Sequence, residues 1–257
     1  MEQITDYKLL LDTAVLAGQL MLRNGAEIYR VEDTIHRILR VSGFKTTEAY
    51  VTSTGLIVTL DDPGFDSMTV VKRIHERETD LDKITRVNMI SRQFCSGEMT
   101  LKEAFHELKH MKESPYSTMQ KDVCTVIVAA AFALLLGGTP VDALGAGIDG
   151  VLLVLFQHLA GRVRLNGFMH TMSASVVIAL GALALSYISG NRMNVDMVII
   201  GAIMPIVPGA ALTTAIRDTL QGDYVAGSAK LLEAFIKAIA IAVGVGVGMV
   251  LLGGIGL

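Results

Sequence analysis

Two kinds of hydrophobic pattern divide the chain near residue 116. Before that point, apolar residues recur every three or four positions or alternate with polar ones, as in elements with one buried face. After it, apolar residues form long, nearly continuous runs. The pattern therefore predicts an α+β domain over residues 1–116 and an all-α membrane domain over residues 117–257.

The N-terminal pattern predicts four helices and a small antiparallel sheet. Apolar residues at helical spacing cover residues 4–23, 26–41, 81–94 and 101–111. Threonine-, valine- and isoleucine-rich stretches at 45–60, with a turn at 53–55, and at 68–74 predict three strands. The predicted order is helix-helix-strand-strand-strand-helix-helix.

Five apolar runs follow, at residues 123–136, 143–159, 168–188, 195–212 and 231–252. With its flanks, each approaches the roughly 20 residues that span a bilayer. A soluble core can produce one or two such runs, but five in series with short glycine-rich loops are typical of a membrane protein. We therefore predict five transmembrane helices.

The distribution of basic residues predicts the orientation of these helices. The connections 161–167 and 217–230 are the basic ones, and they carry Arg162, Arg164, Arg217 and Lys230. The intervening loops hold only Arg192. The positive-inside rule then predicts N-in and C-out in the cell membrane, with a cytoplasmic N-terminal domain. The first residues agree, because they lack the basic n-region and cleavage site of a secretory signal.

Charge and cysteine content exclude several functions. The formal net charge is only −3, which gives no case for nucleic-acid binding. Cys95 and Cys124 form neither a disulfide framework nor a CxxC metal motif. The sequence contains no P-loop, so direct use of ATP is not expected and no cofactor is predicted. Any energy that the membrane domain uses is then expected to come from the proton motive force.

The fourth apolar run carries the main candidate site. Pro205, Pro208 and Gly209 interrupt it, and a helix is broken within a membrane only where something else satisfies the freed backbone groups, commonly a cavity or a solute. Polar side chains follow within about two helical turns. They are Thr213, Thr214, Arg217 and Asp218.

This arrangement predicts a substrate site. The backbone break and the threonine hydroxyls would bind polar atoms of a small solute, and Arg217 would attract its carboxylate. Asp218 would pair with Arg217 or receive an ammonium group. The alternative is that Arg217 and Asp218 only cap a helix at the membrane interface.

Asp149 lies inside the second apolar run, where a carboxylate is costly and usually faces a partner or water. It is a candidate for a coupling proton or a substrate amine, and the alternative is a structural hydrogen bond. The neighbouring Gly145, Gly147 and Gly150 match GxGxxG, but no strand precedes them. They predict close helix packing instead of a nucleotide site, as do Gly244 and Gly248 in the last run.

Residues 106–110 read His-Glu-x-x-His, a pattern that can bind zinc on a helix. The predicted helix is short and charged, and no obvious third ligand follows it. A solvated helix face is the favoured interpretation, so we predict no catalytic residue and no metal ligand. A membrane-anchored metal-dependent hydrolase stays open as an alternative.

Three segments resemble the threonine/serine exporter family. They are GAEIYRVEDTI at 25–35, TGLIVTL at 54–60 and PGAALTTAIRDTLQGDYVAG at 208–227. The chain is most similar to the larger subunit of the split, two-subunit form. The resemblance implies a non-enzymatic exporter of small polar amino acids, or of dicarboxylates such as succinate.

The resemblance also implies a partner, because single-chain members carry about twice as many membrane helices. A separate small membrane subunit, or further copies of this chain, would complete the transport path. The site at residues 205–218 would then be half of a larger one. The alternative is that the chain is a non-transporting regulatory or assembly subunit.

Overall fold

A computed structural model of the chain describes residues 6–75, 77–111, 116–161 and 165–253. It separates into two compact units. The first unit comprises Met1–Pro115 and Ala210–Leu232, and the second comprises Tyr116–Gly209 and Glu233–Leu257. The segment Ala210–Leu232 follows four apolar helices in the chain and yet belongs to the N-terminal unit.

The first unit begins with the predicted α+β arrangement. Its elements are α1 (Tyr7–Arg23), α2 (Ile28–Leu39), β1 (Thr46–Thr52), β2 (Gly55–Asp62), β3 (Phe65–Arg73), α3 (Leu81–Ser96) and α4 (Leu101–Lys109). The strands form one antiparallel sheet in the order β1-β2-β3. The predicted element order and sheet are therefore confirmed, whereas residues 4 and 5 of the first predicted helix lie outside the described residues.

The core of this unit forms between the helices and the sheet. Alternate residues of β2, Leu56, Val58 and Leu60, are buried, as expected of a strand with one face against the core. Helices α1 and α2 pack closely, because a Cβ at Gly18 would lie 2.5 Å from the Cδ1 of Ile35.

The second unit contains long apolar helices. They are α5 (Thr118–Leu135), α6 (Pro140–Ala160), α7 (Gly167–Ile188), α8 (Val195–Ile203) and the greater part of α10 (Tyr224–Gly253). Between α8 and α10 the chain forms α9 (Gly209–Leu220), which belongs to the first unit.

Four described helices, α5, α6, α7 and α10, are long and apolar enough to cross a membrane. The bent pair of α8 and α9 makes a fifth span if it is counted as one. The predicted membrane domain is confirmed to this extent. The N-in orientation stays a prediction, and two residues on which it depends, Arg162 and Arg164, lie outside the described residues.

Four of the five glycines predicted to allow close helix packing, all but Gly147, occupy such contacts. A Cβ on Gly145 of α6 would lie 2.9 Å from the Cγ2 of Val198 on α8. A Cβ on Gly248 of α10 would lie 2.6 Å from that of Ala179 on α7. Both distances are too short for a side chain, so these glycines let the helix backbones approach each other.

The predicted long connection over residues 217–230 is wrong. Helix α9 continues to Leu220 and α10 begins at Tyr224, so both Arg217 and Lys230 are helical. The turn is tight because Gly222 adopts a φ of 93°, which favours glycine. Asp223 then accepts a hydrogen bond from the Ala226 N–H at 3.0 Å and caps the start of α10.

Candidate functional site

The proline-containing break lies where the sequence predicts it. Helix α8 ends at Ile203, a single 3₁₀ turn covers Met204–Ile206, and Val207 is extended. Pro205 and Pro208 have no N–H to donate, so neither can continue the α-helical ladder. The chain resumes as α9 at Gly209, whose N–H donates to the Val207 carbonyl at 2.8 Å.

The two threonines lie on the second turn of α9. Thr214 donates its hydroxyl proton to the Ala211 carbonyl at 3.0 Å, so this hydroxyl keeps only its acceptor capacity. Thr213 is exposed. The predicted roles of Pro205, Pro208, Gly209 and both threonines in binding a substrate stay predictions.

Asp218 is fully buried and makes two charge-assisted contacts. One carboxylate oxygen accepts the backbone N–H of Ile28 at 3.0 Å, and the other accepts the Lys230 ammonium at 2.7 Å. Lys230 also donates to the Ala26 carbonyl at 3.2 Å. Asp218 thus caps the N-terminus of α2, where the side chain of the N-cap residue, Glu27, makes no such bond.

Arg217, which precedes Asp218 on α9, binds the carboxylate of Glu27. Its guanidinium donates to one oxygen of Glu27 at 2.5 Å, and Arg30 lies 3.3 Å from the other oxygen. The Glu27 side chain is only 9% exposed, whereas that of Arg217 is 51% exposed. The guanidinium therefore holds a protein carboxylate and is still half open to its surroundings.

The pKa of Glu27 follows from these contacts. Burial alone would raise it, but a backbone hydrogen bond at Glu27 and the bond from Arg217 outweigh burial and lower the pKa below its usual value. Glu27 is therefore ionised at neutral pH. Together Glu27, Arg217, Asp218 and Lys230 form two ion pairs, which we call the elbow cluster.

Sequence reasoning missed half of the elbow cluster. The local sequence pattern singles out no role for Glu27, and it places Lys230 in a connection between helices. Within α2, Glu27 also pairs with Arg30, and Asp33 pairs with Arg37 at 2.6 Å. The available signal was the position of Lys230 at the start of an apolar run, because a charge there needs a partner of opposite charge.

Asp149 occupies a different environment in the second unit. It is fully buried in α6, and neither of its carboxylate oxygens has a hydrogen-bond partner among the described residues. A Cβ on Gly181 of α7 would collide with its Oδ1, so the backbone of α7 lies directly against the carboxyl group. The alternative role for Asp149 was a structural hydrogen bond. Its carboxylate makes no such bond within the part of the chain that the structure describes.

The His-Glu-x-x-His pattern forms no metal centre in the described residues. His106 and His110 stack with ring centroids 4.2 Å apart, and the Nδ1 of His110 lies 3.0 Å from the His106 carbonyl. No group of three histidine, cysteine, aspartate or glutamate side chains in the described ranges could hold a metal ion. The hydrolase alternative gains no support from this geometry.

A second ionisable contact lies between two apolar helices. The Nε2 of His158 on α6 lies 2.9 Å from a carboxylate oxygen of Asp122 on α5. No sequence motif gives His158 a partner. Asp122 immediately precedes the first apolar run, and nothing in the local pattern joins residues 36 positions apart.

Comparison with known proteins gives one match. A family model described as "Putative threonine/serine exporter" matches residues 12–252, which includes both compact units. No curated protein and no solved structure matches the chain.

Proposed function

The chain belongs to the threonine/serine exporter family, and from that premise we propose that it is a subunit of a secondary exporter of small carboxylate-bearing metabolites. The substrates are amino acids of the threonine and serine type or dicarboxylates of the succinate type. The family is one of transporters, and the apolar helices make the chain a multi-pass membrane protein. We infer that proton motive force drives export; the lack of a P-loop in the sequence argues against direct use of ATP as the alternative.

The observation that carries this proposal is the half-exposed guanidinium of Arg217. It already binds a carboxylate, that of Glu27, and it lies two turns after the proline break. A guanidinium that holds one carboxylate has the geometry to hold another. We infer that the substrate carboxylate replaces Glu27 on Arg217 during the export cycle.

The energetic cost of this exchange is small. An ion pair with a largely exposed partner contributes about 1 kcal/mol or less, whereas millimolar binding corresponds to about 4 kcal/mol. Glu27 keeps Arg30 as a second cationic partner when Arg217 turns to the substrate. Thr213 would supply a further polar contact to the bound metabolite.

The proposal extends to topology and partners. The N-terminal domain lies in the cytoplasm, the chain runs N-in to C-out, and a small membrane subunit of the same family or further copies complete the path. The support is the asymmetry of basic residues and a count of only four to five candidate spans. In this arrangement Arg217 meets cytoplasmic substrate.

Efflux from intact cells tests the proposal. Cells that lack the native gene would express wild type, Arg217→Ala or Arg217→Lys and be loaded with threonine or succinate. We expect Arg217→Ala to lose export of both by about tenfold or more, which is 1.4 kcal/mol of lost binding. Arg217→Lys should retain part of the export activity, because an ammonium group keeps the positive charge but lacks the two parallel N–H donors of a guanidinium.

The matched control is Arg192→Ala, which removes an exposed arginine from the loop before α8. It should export as wild type does. Wild-type efflux by Arg217→Ala at wild-type membrane abundance would refute the role of Arg217. Failure of wild type itself to export either metabolite, with the small subunit present, would point to a regulatory or assembly subunit.

A further inference from the structure

Asp149 has the environment of an uncharged carboxylic acid. It lies in the middle of α6, has no exposed surface, and neither oxygen has a hydrogen-bond partner among the described residues. A buried carboxylate is very costly unless it is paired, and a group without a partner becomes neutral instead. Asp149 therefore carries its proton in this conformation.

The titratable groups on the neighbouring elements lie toward the helix ends. Helix α6 packs against α5, α7 and α8. The groups to consider are Lys121, Asp122 and Cys124 on α5, Asp142 and His158 on α6, His170 and Tyr187 on α7, and Asp196 on α8. Asp142 and His158 are seven and nine residues from Asp149, or about 10 and 13 Å along the helix axis.

The contacts of these groups place them away from Asp149. Asp142 accepts the Asn194 N–H at 2.6 Å, which sets the start of α8 and Asp196 at that end of α6. At the other end, His158 pairs with Asp122. His170 contacts Phe156, Lys121 and Cys124 are exposed, and Tyr187 lies six residues beyond Gly181.

The limited space around Asp149 favours a proton over a metal cation or a substrate amine as its ligand. A Cβ on Gly181 would collide with the carboxyl group and would lie 2.8 Å from the Cδ1 of Leu152. A metal cation needs several ligands, and no group of three histidine, cysteine, aspartate or glutamate side chains among the described residues could hold one here. A substrate amine would need room that the backbone of α7 occupies. A proton needs neither further ligands nor room.

We propose that Asp149 and Gly181 form a one-proton site at the contact between α6 and α7. This proposal rests on the proposed exporter function and names the group that couples it to the proton gradient. The O–H bond of Asp149 breaks when water reaches it, the proton leaves to that water, and a proton from the opposite side later restores the acid. Gly181 positions α7 so that water is excluded in the protonated state.

Infrared difference spectroscopy tests the protonation state without transport. The full chain, purified at neutral pH, is compared with Asp149→Asn, which removes the acid but keeps its shape. We expect the wild-type spectrum to contain the carbonyl stretch of a protonated carboxylic acid that the variant lacks. Identical spectra in that region would overturn the proposal, whatever the protein transports.

Transport in membrane vesicles tests the role in the cycle. Vesicles that contain the chain and its small subunit are loaded with labelled threonine, and two rates are measured. One is net export driven by a pH gradient, and the other is exchange against unlabelled threonine with no gradient. We expect Asp149→Asn to lose net export and to keep exchange, because exchange needs no net loss of the proton.

Each other outcome contradicts the proposal. Retention of both rates would make Asp149 structural, and loss of both at wild-type abundance and melting temperature would make it a substrate ligand. Net export by wild type driven equally well by a sodium gradient would exclude a proton-specific site. If wild type carries neither threonine nor succinate, the proposed exporter function is wrong. The infrared result still shows whether Asp149 is protonated.

Gly181→Ala supplies a variant that leaves Asp149 in place. Its methyl group must displace the carboxyl or move α7, so we expect the acid band to shift and net export to fall. Gly246→Ala on α10 is the matched control, because a Cβ there meets nothing within 4 Å. An unchanged band and unchanged export in Gly181→Ala would refute the positioning role of Gly181.

Discussion

Replacement of Lys230 by methionine isolates the buried pair of the elbow cluster. Methionine keeps the length of the apolar stem but removes the ammonium that contacts Asp218 at 2.7 Å. Asp218 has no exposed surface, so its carboxylate would be left with the Ile28 N–H as its one remaining contact in the cluster. Breaking a buried ion pair in this way costs about 3–5 kcal/mol.

The expected shift in melting temperature is large enough to measure. At about 2–4 °C for each kcal/mol in a chain of this size, a loss of 3 kcal/mol lowers the melting temperature by about 6–12 °C. Lys237→Met is the matched control, because Lys237 lies two turns further along α10 and pairs with Glu233 at a site where both side chains are partly exposed. An exposed i,i+4 pair contributes only about 0.3–0.5 kcal/mol.

A cysteine within the same unit reports the unfolding. Cys95 is half-buried, and burial raises the pKa of its thiol, with Arg37 opposing the effect. Its Sγ donates to the Arg37 carbonyl at 3.4 Å. In a Cys124→Ser background, a thiol-reactive fluorophore should therefore label the detergent-solubilised chain only as it unfolds.

A double variant distinguishes a direct interaction between Asp218 and Lys230 from a general loss of stability. Asp218→Asn should tolerate Lys230→Met better than wild type does, because the neutral amide still accepts the Ile28 N–H and leaves no unpaired charge. Equal melting temperatures for Lys230→Met and Lys237→Met would refute the buried-pair argument. Strictly additive losses in the double variant would show that Asp218 and Lys230 do not interact.

Three further perturbations test the account. Glu27→Gln should lower the melting temperature at neutral pH, as followed by tyrosine fluorescence. Because the folded-state pKa of Glu27 is lowered, its contribution is lost as the pH falls from the usual range of a glutamate through the folded-state pKa, so the difference should shrink in acid. A difference that grows in acid would contradict this sign. Gly227→Ala should cost about 1–3 kcal/mol in the same assay, because its Cβ would collide with Thr219, whereas Gly246→Ala should cost little; equal effects would refute the contact. Thr100→Ala removes the capping box of α4 and should cost about 1 kcal/mol, with faster amide exchange confined to that helix; unchanged exchange would mean that the cap contributes nothing.

The elements were predictable because each has a strong local signal. Amphipathic spacing marks α1 and α2, alternation marks β2, and two prolines mark the end of α8. The boundaries of α9 and α10 were not predictable in the same way. Arg217 and Lys230 resemble interfacial loop residues when only neighbours in sequence are considered.

The pairing of those charges depends on the tertiary structure. Glu27 and Arg217 are 190 positions apart, and no periodicity relates them. Burial of Lys230 is possible because Asp218 neutralises it and a backbone carbonyl accepts a further bond. The sequence could nominate the individual residues, since charges beside apolar runs are rare, but it could not identify their partners.

In the proposed export cycle, Arg217 exchanges the carboxylate of Glu27 for that of the exported metabolite. Exchanging the two charges, with Glu27→Arg and Arg217→Glu in one chain, tests it most directly, with efflux of threonine and succinate measured at matched membrane abundance. The account predicts that the exchanged pair restores the melting temperature lost in Arg217→Glu alone, while export stays abolished because a glutamate now faces the substrate. Export restored to the wild-type rate by the exchanged pair would contradict the account and make this ion pair purely structural.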